Sequence, residues 1–169
     1  MNRFLTFLMR LEAPLQRIPH TLIASLARFS LAAVFWQSGQ TKITGLAINI
    51  VQGEWQIGWP RLAENTVALF AEEYQLPLLS PVMAAYLAST AEHALPLLLL
   101  LGLFTRWAAL GLLGMTLVIQ LLVYPGAWMV HGLWATGLLY LVAKGPGCIS
   151  IDAWLRRADD PAEKIKIHA

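Results

Sequence analysis

Four apolar stretches, at about residues 21–39, 82–103, 107–124 and 127–143, fill most of this chain. Each is close to the ~20 residues a helix needs to cross a ~30 Å hydrocarbon core. A chain so patterned has few ways to fold. Its backbone polar groups must be satisfied within each segment, which inside lipid means helices. The expected fold is therefore all-α: an integral-membrane four-helix bundle, one domain over residues 1–158, with a charged tail at 159–169. Three stretches also carry an ionisable side chain: Arg28 in the first, Glu92 and His93 in the second, His131 in the fourth. Such a group at mid-depth costs roughly 2.5–3.5 kcal/mol on insertion scales. These residues are the first candidates for function.

Composition agrees. Hydrophobic residues make up 57% of the chain and charged residues 13%, against about 25% charge in a soluble domain. The net charge of +2 gives no reason to expect nucleic acid. The single cysteine, Cys148, excludes an internal disulfide and a CxxC relay. Near the start, Phe4, Leu5, Leu8, Leu11 and Leu15 fall at helical spacing, with Arg3, Arg10 and Arg17 off the stripe. That pattern fits an amphipathic helix at the membrane surface, or equally a helical extension packed on the bundle.

The cations set an orientation. Arg3, Arg10, Arg17, Arg106, Lys144, Arg156, Arg157, Lys164 and Lys166 fall on one side. Only Lys42 and Arg61 fall on the other, and Arg28 lies within a span; nine, two and one make the twelve. The positive-inside rule then puts both termini in the cytoplasm and the long loop from Gln40 to Pro81 outside. Within that loop, Leu62, Val67, Leu69, Phe70 and Tyr74 predict an amphipathic helix over 61–74. Trp55, Trp59, Trp107 and Trp128 read as interfacial anchors.

Helical rise places the polar groups in depth. Arg28 falls on the order of 10 Å, and Glu92 on the order of 16 Å, from the same edge. An Arg28–Glu92 ion pair, direct or water-linked, is predicted, either as a lock between helices or as part of a working site. Pro96 removes the usual helical partner of the Glu92 carbonyl, so a kink is expected there. Nearer the outside, Gln37 and Gln40 end the first stretch, while Gln120 and His131 reach about equal depth on consecutive helices. With Lys42 at the rim, these groups outline a polar vestibule floored by Glu92 and His93, or else simply bond helix to helix. Trp128, His131 and Trp134, spaced by three, present a face that would stack a planar ring such as a quinone, or serve as a belt and core packing. No metal set is assigned. Glu92 and His93 are adjacent and point about 100° apart. Cu(I) prefers sulfur ligands, and Met83, Met115 and Met129 are scattered. No nucleophile arrangement or carboxylate pair is present, so no catalytic residue is named, and quinone ranks ahead of copper as a bound group.

Taken in order, these segments resemble the DoxX family of small bacterial inner-membrane proteins with four spans. The resemblance rests on Arg28, on Ser38-Gly39-Gln40-Thr41-Lys42, on Ala91-Glu92-His93, on Leu101 to Ala109, on His131 to Trp134, and on Gly145-Pro146-Gly147-Cys148-Ile149-Ser150-Ile151-Asp152. The run from Val118 to Trp128, followed by His131, is similar to the HvfX branch, found beside copper-binding peptides called bufferins and their maturation enzymes. What the resemblance implies is a bacterial inner-membrane protein in a redox or metal-stress pathway, acting as a membrane partner of other proteins. It brings no catalytic mechanism, and carries over Arg28, Lys42, Glu92, Arg106 and His131 only as motif positions. Three readings follow. They are an accessory protein of an envelope redox or copper-peptide pathway that docks partners through its outer loop, a quinone-linked redox subunit, and a small-solute transporter. Gly111, Gly114, Gly132 and Gly137 would permit close helix contacts within one chain or in a homo-oligomer.

Overall fold

The computed structural model describes residues 17–49 and 53–158. The expected N-terminal amphipathic helix around 4–15 and the charged tail at 159–169 lie outside the described residues. In chain order the elements are α1 (His20–Gln40), β1 (Ile43–Thr44), β2 (Ala47–Asn49), β3 (Glu54–Gln56), β4 (Arg61–Leu62), α2 (Glu64–Leu69, continued by a π turn at Phe70–Tyr74), α3 (Pro81–Leu101), α4 (Thr105–Val118, continued by a π turn at Ile119–Val123), α5 (Trp128–Lys144) and α6 (Ile151–Ala158).

The long helices α1, α3, α4 and α5 occupy the four apolar stretches and form one bundle. Their boundaries have local causes. Ser80 caps α3 by accepting a hydrogen bond from the Met83 backbone N–H, and Pro81 opens it with a preset φ. Gly102 closes it in the left-handed region (φ 69°). A side chain there would also strike Ser150 and the Arg28 guanidinium. Leu31, Phe35, Leu99, Leu112, Leu138 and Leu141 fill the core, with small residues such as Ala24 and Ala109 buried among them. α1 packs mainly on α3, and α4 on α5.

The outside of the bundle is apolar as well. Leu22, Leu26 and Phe29 of α1, Met83, Leu87 and Leu97 of α3, Leu110 and Leu121 of α4, and Leu133 and Leu139 of α5 are all exposed. A water-facing protein rarely exposes so continuous an apolar surface; a lipid-facing one requires it. Among the described residues two helices, Pro81–Leu101 and Thr105–Val123, are long and apolar enough to cross a membrane. α1 carries Arg28, Gln37, Ser38 and Gln40, and α5 is 17 residues long.

Two expectations need correction. The chain is not purely helical: β1 pairs with β4 (Ile43 opposite Leu62) and β2 with β3 (Ile48 opposite Trp55), both antiparallel. The helix expected over 61–74 begins only at Glu64, because Arg61 and Leu62 are drawn into the strand beside Ile43 and Thr44. Its apolar face does not lie free. Phe70 is buried with Ala84 and Ala85 of α3, and Val67, Tyr74 and Leu76 pack around them. Glu64, Glu72 and Glu73 stay on the exposed side.

Candidate functional site

The polar groups of the bundle sort into three clusters, one at the middle of α3, one at its C-terminal end and one between α4 and α5.

The first joins the end of α1 to the middle of α3. Glu92 and Lys42 are both almost fully buried, at 3% and 4% exposure. Lys42 Nζ stands 2.8 Å from Glu92 Oε2. The same Nζ donates to the Ser38 hydroxyl (3.1 Å) and the Ser38 carbonyl (3.2 Å), and Ser38 Oγ donates to Glu92 Oε1 (3.2 Å). The lysine lies just beyond the C-terminus of α1, where a cation also meets the helix dipole and the orphan carbonyls favourably. On the next residue, His93 Nδ1 lies 2.7 Å from the Ser89 carbonyl and Nε2 lies 2.9 Å from Gln40 Nε2. A carbonyl only accepts, so Nδ1 carries the proton and Nε2 accepts from the amide. Gln40 is oriented by its other end, since its Oε1 accepts from the Ile48 backbone N–H (2.8 Å). Gly39 makes this approach feasible. A Cβ at that position would stand 2.7 Å from His93 Cε1 and 3.1 Å from Glu92 Cβ.

Lys42 does more than neutralise Glu92. Its carbonyl accepts from the Ala63 backbone N–H (2.9 Å) and from Thr66 Oγ1 (2.9 Å), which ties the start of α2 down over the pair. Beside it a cavity of about 290 Å³ is lined by Thr41, Lys42, Asn65, Thr66, Glu72 and Glu73, among others. Tyr74, further along, is half-buried. Burial raises the pKa of its hydroxyl above the ordinary 10.0, and the charges of Glu92 and Glu73 push the same way.

The second cluster is built on Arg28, and it corrects the predicted Arg28–Glu92 pair. Arg28 does not meet Glu92. Its Nε donates to the Leu99 carbonyl (2.9 Å), Nη2 to Leu100 (2.7 Å), and Nη1 to Pro146 (3.0 Å) and Ile149 (2.6 Å). The guanidinium therefore caps the last turn of α3, where orphan carbonyls and the negative end of the helix dipole collect, and binds the Gly145–Ile149 loop to it. The reason is directional. Helical side chains lean toward the N-terminus of their own helix. α1 and α3 are antiparallel, so Arg28 leans toward the end of α3 while Glu92 leans away, toward Ser38 and Lys42.

The third cluster links α4 and α5. The π turn at Ile119–Val123 carries a buried Gln120, whose Nε2 donates to the Pro125 carbonyl (2.7 Å) and whose Oε1 lies 2.8 Å from His131 Nδ1. His131 is buried and stands 5.0 Å, ring to ring, from Trp134.

Gln120 and His131 thus meet at the depth their spacing predicts. Gln40, Lys42, Glu92 and His93 gather in the first cluster. Four expectations fare differently. Lys42 is no rim residue but lies under α2. Gln37 is exposed and outside every cluster. Trp128 is 65% exposed, off the face shared by His131 and Trp134. The single vestibule divides into separate hydrogen-bonded sets. Among the described residues no three His, Cys, Asp or Glu side chains come together as a metal site, and Glu92 and His93 face different partners. The sequence motifs included Ser38 and Gly39 without giving them a role, and Ser89, three residues before Glu92, was missed. Asp152, likewise quoted only as a motif position, has two carboxylate oxygens that accept from the Phe104 and Thr105 backbone N–H groups at the start of α4 (2.8 and 2.9 Å).

A family model, DoxX, matches residues 23–125. The chain belongs to the DoxX family. The match runs from the first turns of α1 through α4 and takes in Arg28, the Lys42–Glu92 pair, Gln40, His93 and Gln120; His131 and Asp152 fall beyond it. DoxX proteins are membrane proteins, which accounts for the apolar exterior of this bundle. No curated protein and no solved structure matches this DoxX chain.

Proposed function

We propose that this protein is a four-span inner-membrane accessory protein, with both termini cytoplasmic, which presents the segment 41–80 to a partner on the outer side. The carrying observation is the state of that segment. It is fastened to the bundle through the Lys42 carbonyl and through Phe70 against α3. Yet its hairpin and the stretch after it hold Trp55, Ile57 and Trp59 at 64, 90 and 83% exposure. Large apolar side chains on a fixed platform suit partner docking, where aromatic anchors carry much of the binding energy. The apolar faces of all four long helices support four spans, and Arg17, Arg106, Lys144, Arg156 and Arg157 at one end of the bundle support the orientation. On this reading the protein needs no catalytic residue of its own. The HvfX-like segment from Val118 to Trp128 suggests a setting in an envelope redox or copper-peptide pathway. Substituting Trp55, Ile57 and Trp59 with serine should abolish co-purification of the partner from native membranes while the bundle melts as before. Unchanged co-purification would refute the docking role.

A quinone-linked subunit is a second reading, favoured by the His131–Trp134 ring contact beside Gln120. It predicts quinone in gentle lipid extracts of the wild-type protein and its loss in His131→Ala. A quinone-free wild type would remove it.

A further inference from the structure

Charge is divided between the two ends of the bundle. Around the 41–80 segment stand Arg61 and the buried Lys42 against Glu54, Glu64, Glu72 and Glu73. Among the described residues, the opposite end holds Arg17, Arg106, Lys144, Arg156 and Arg157 against Asp152 alone. That carboxylate is already committed, since both its oxygens accept backbone N–H groups of Phe104 and Thr105. Arg106 and Arg156, by contrast, are exposed and make no ion pair or hydrogen bond with any described residue. Together with Phe104, Trp107, Leu155 and the already bonded Asp152, among others, they line a recess of about 280 Å³.

The surroundings identify what would fill it. The recess opens at the turn between α3 and α4, the two helices that are long and apolar enough to cross the membrane, so its mouth lies where hydrocarbon gives way to headgroups. Trp107 in its wall, and Trp154 one residue before Leu155, are 73 and 66% exposed, as interfacial tryptophans are. α6 is amphipathic: at 100° per residue Ile151, Trp154, Leu155 and Ala158 share one face, and Asp152, Arg156 and Arg157 the other. Such a helix lies in the plane of the interface. Two guanidinium groups without partners among the described residues, largely apolar walls and interfacial depth match a phosphodiester bearing acyl chains. Arginine forks bind phosphate oxygens in pairs, and basic pockets beside membrane helices hold anionic headgroups.

We propose that this recess binds the headgroup of an anionic phospholipid, with Arg106 and Arg156 on the phosphate and the acyl chains along Trp107 and Leu155. The inference rests on the membrane placement proposed above but not on partner docking, which uses the other end of the molecule.

The test is native mass spectrometry of the full chain released from nanodiscs that hold equal phosphatidylglycerol and phosphatidylcholine with identical acyl chains. Recovery of the protein with the discs confirms insertion in the same sample. The expected result is retention of phosphatidylglycerol over phosphatidylcholine, falling about fivefold for each of Arg106→Gln and Arg156→Gln. Arg157→Gln and Lys144→Gln, at the same end but outside the recess, should leave it unchanged. Arg156 is exposed on the short helix α6, so its variant reports even if Arg106→Gln fails to insert. Equal retention of the two lipids by the inserted wild type would overturn the proposal. So would an equal loss in Arg157→Gln, which would mean diffuse attraction, or displacement of the lipid by millimolar inorganic phosphate, which would mean a site for free anions.

Discussion

Replacing Lys42 with methionine keeps the length of the side chain and removes its charge. In the native protein Nζ sits 2.8 Å from Glu92 Oε2, and both side chains are at least 96% buried. At an effective dielectric of about 20, two unit charges at that separation attract by roughly 6 kcal/mol. Much of that offsets the desolvation of both groups, so the pair itself adds little net stability. Breaking it from one side is different. Glu92 is left buried with only Ser38 Oγ, a loss of about 3–5 kcal/mol. For a chain of this size that is a fall of roughly 6–20 °C in melting temperature. Lys42→Met should therefore melt far below wild type in nanodiscs, whereas Lys144→Met, on an exposed side chain, should move by under about 0.5 kcal/mol. Adding Glu92→Gln to Lys42→Met removes the stranded charge and should restore most of the loss, a strongly non-additive cycle. If Lys42→Met melts like wild type, or if the two substitutions simply add, the buried pair does not join α1 to α3 as described.

Gly39→Ala should destabilise by about 1–3 kcal/mol, read by thermal melting, because its Cβ would overlap His93 and force α1 away from α3. A neutral effect would mean that the helices are not in close contact there. Arg28→Lys should cost at least 2 kcal/mol, roughly one charge-assisted hydrogen bond or more, since one ammonium cannot reach the four carbonyls the guanidinium holds; rescue to wild-type melting would refute the capping role. Tyr74 gives a pH dependence. Its hydroxyl pKa is raised in the folded protein, so above the ordinary value of 10.0 the unfolded chain ionises first and stability falls as pH climbs. Melting curves of Tyr74→Phe should show a shallower decline above pH 10 than wild type, and parallel curves would refute the assignment.

The four long helices were legible because lipid leaves a chain little choice: apolar runs of about 20 residues allow the bundle to be placed to within a few residues. Gln120 and His131 were legible from rise alone, since their helices follow one another and depth suffices. Arg28 was misread for a reason that generalises. Depth along an axis says nothing about which way a side chain leans, and on antiparallel helices Arg28 and Glu92 lean apart. A carboxylate was also not the only available partner, because the end of α3 offers backbone carbonyls that carry no sequence signal. The strand pairs in 43–62 were invisible because they are two or three residues long, too short for an alternation to register. Gly39 shows its role only once the neighbouring helix is in place.

The central claim, that the 41–80 segment presents its apolar tip to a partner protein, is tested most directly by photo-crosslinking from positions 55 and 59 in native membranes, with the adducts identified by mass spectrometry. The account predicts adducts to one recurring protein species from both positions and none from a control position on α6. Adducts to lipid alone would contradict it and make Trp55 and Trp59 a second interfacial belt.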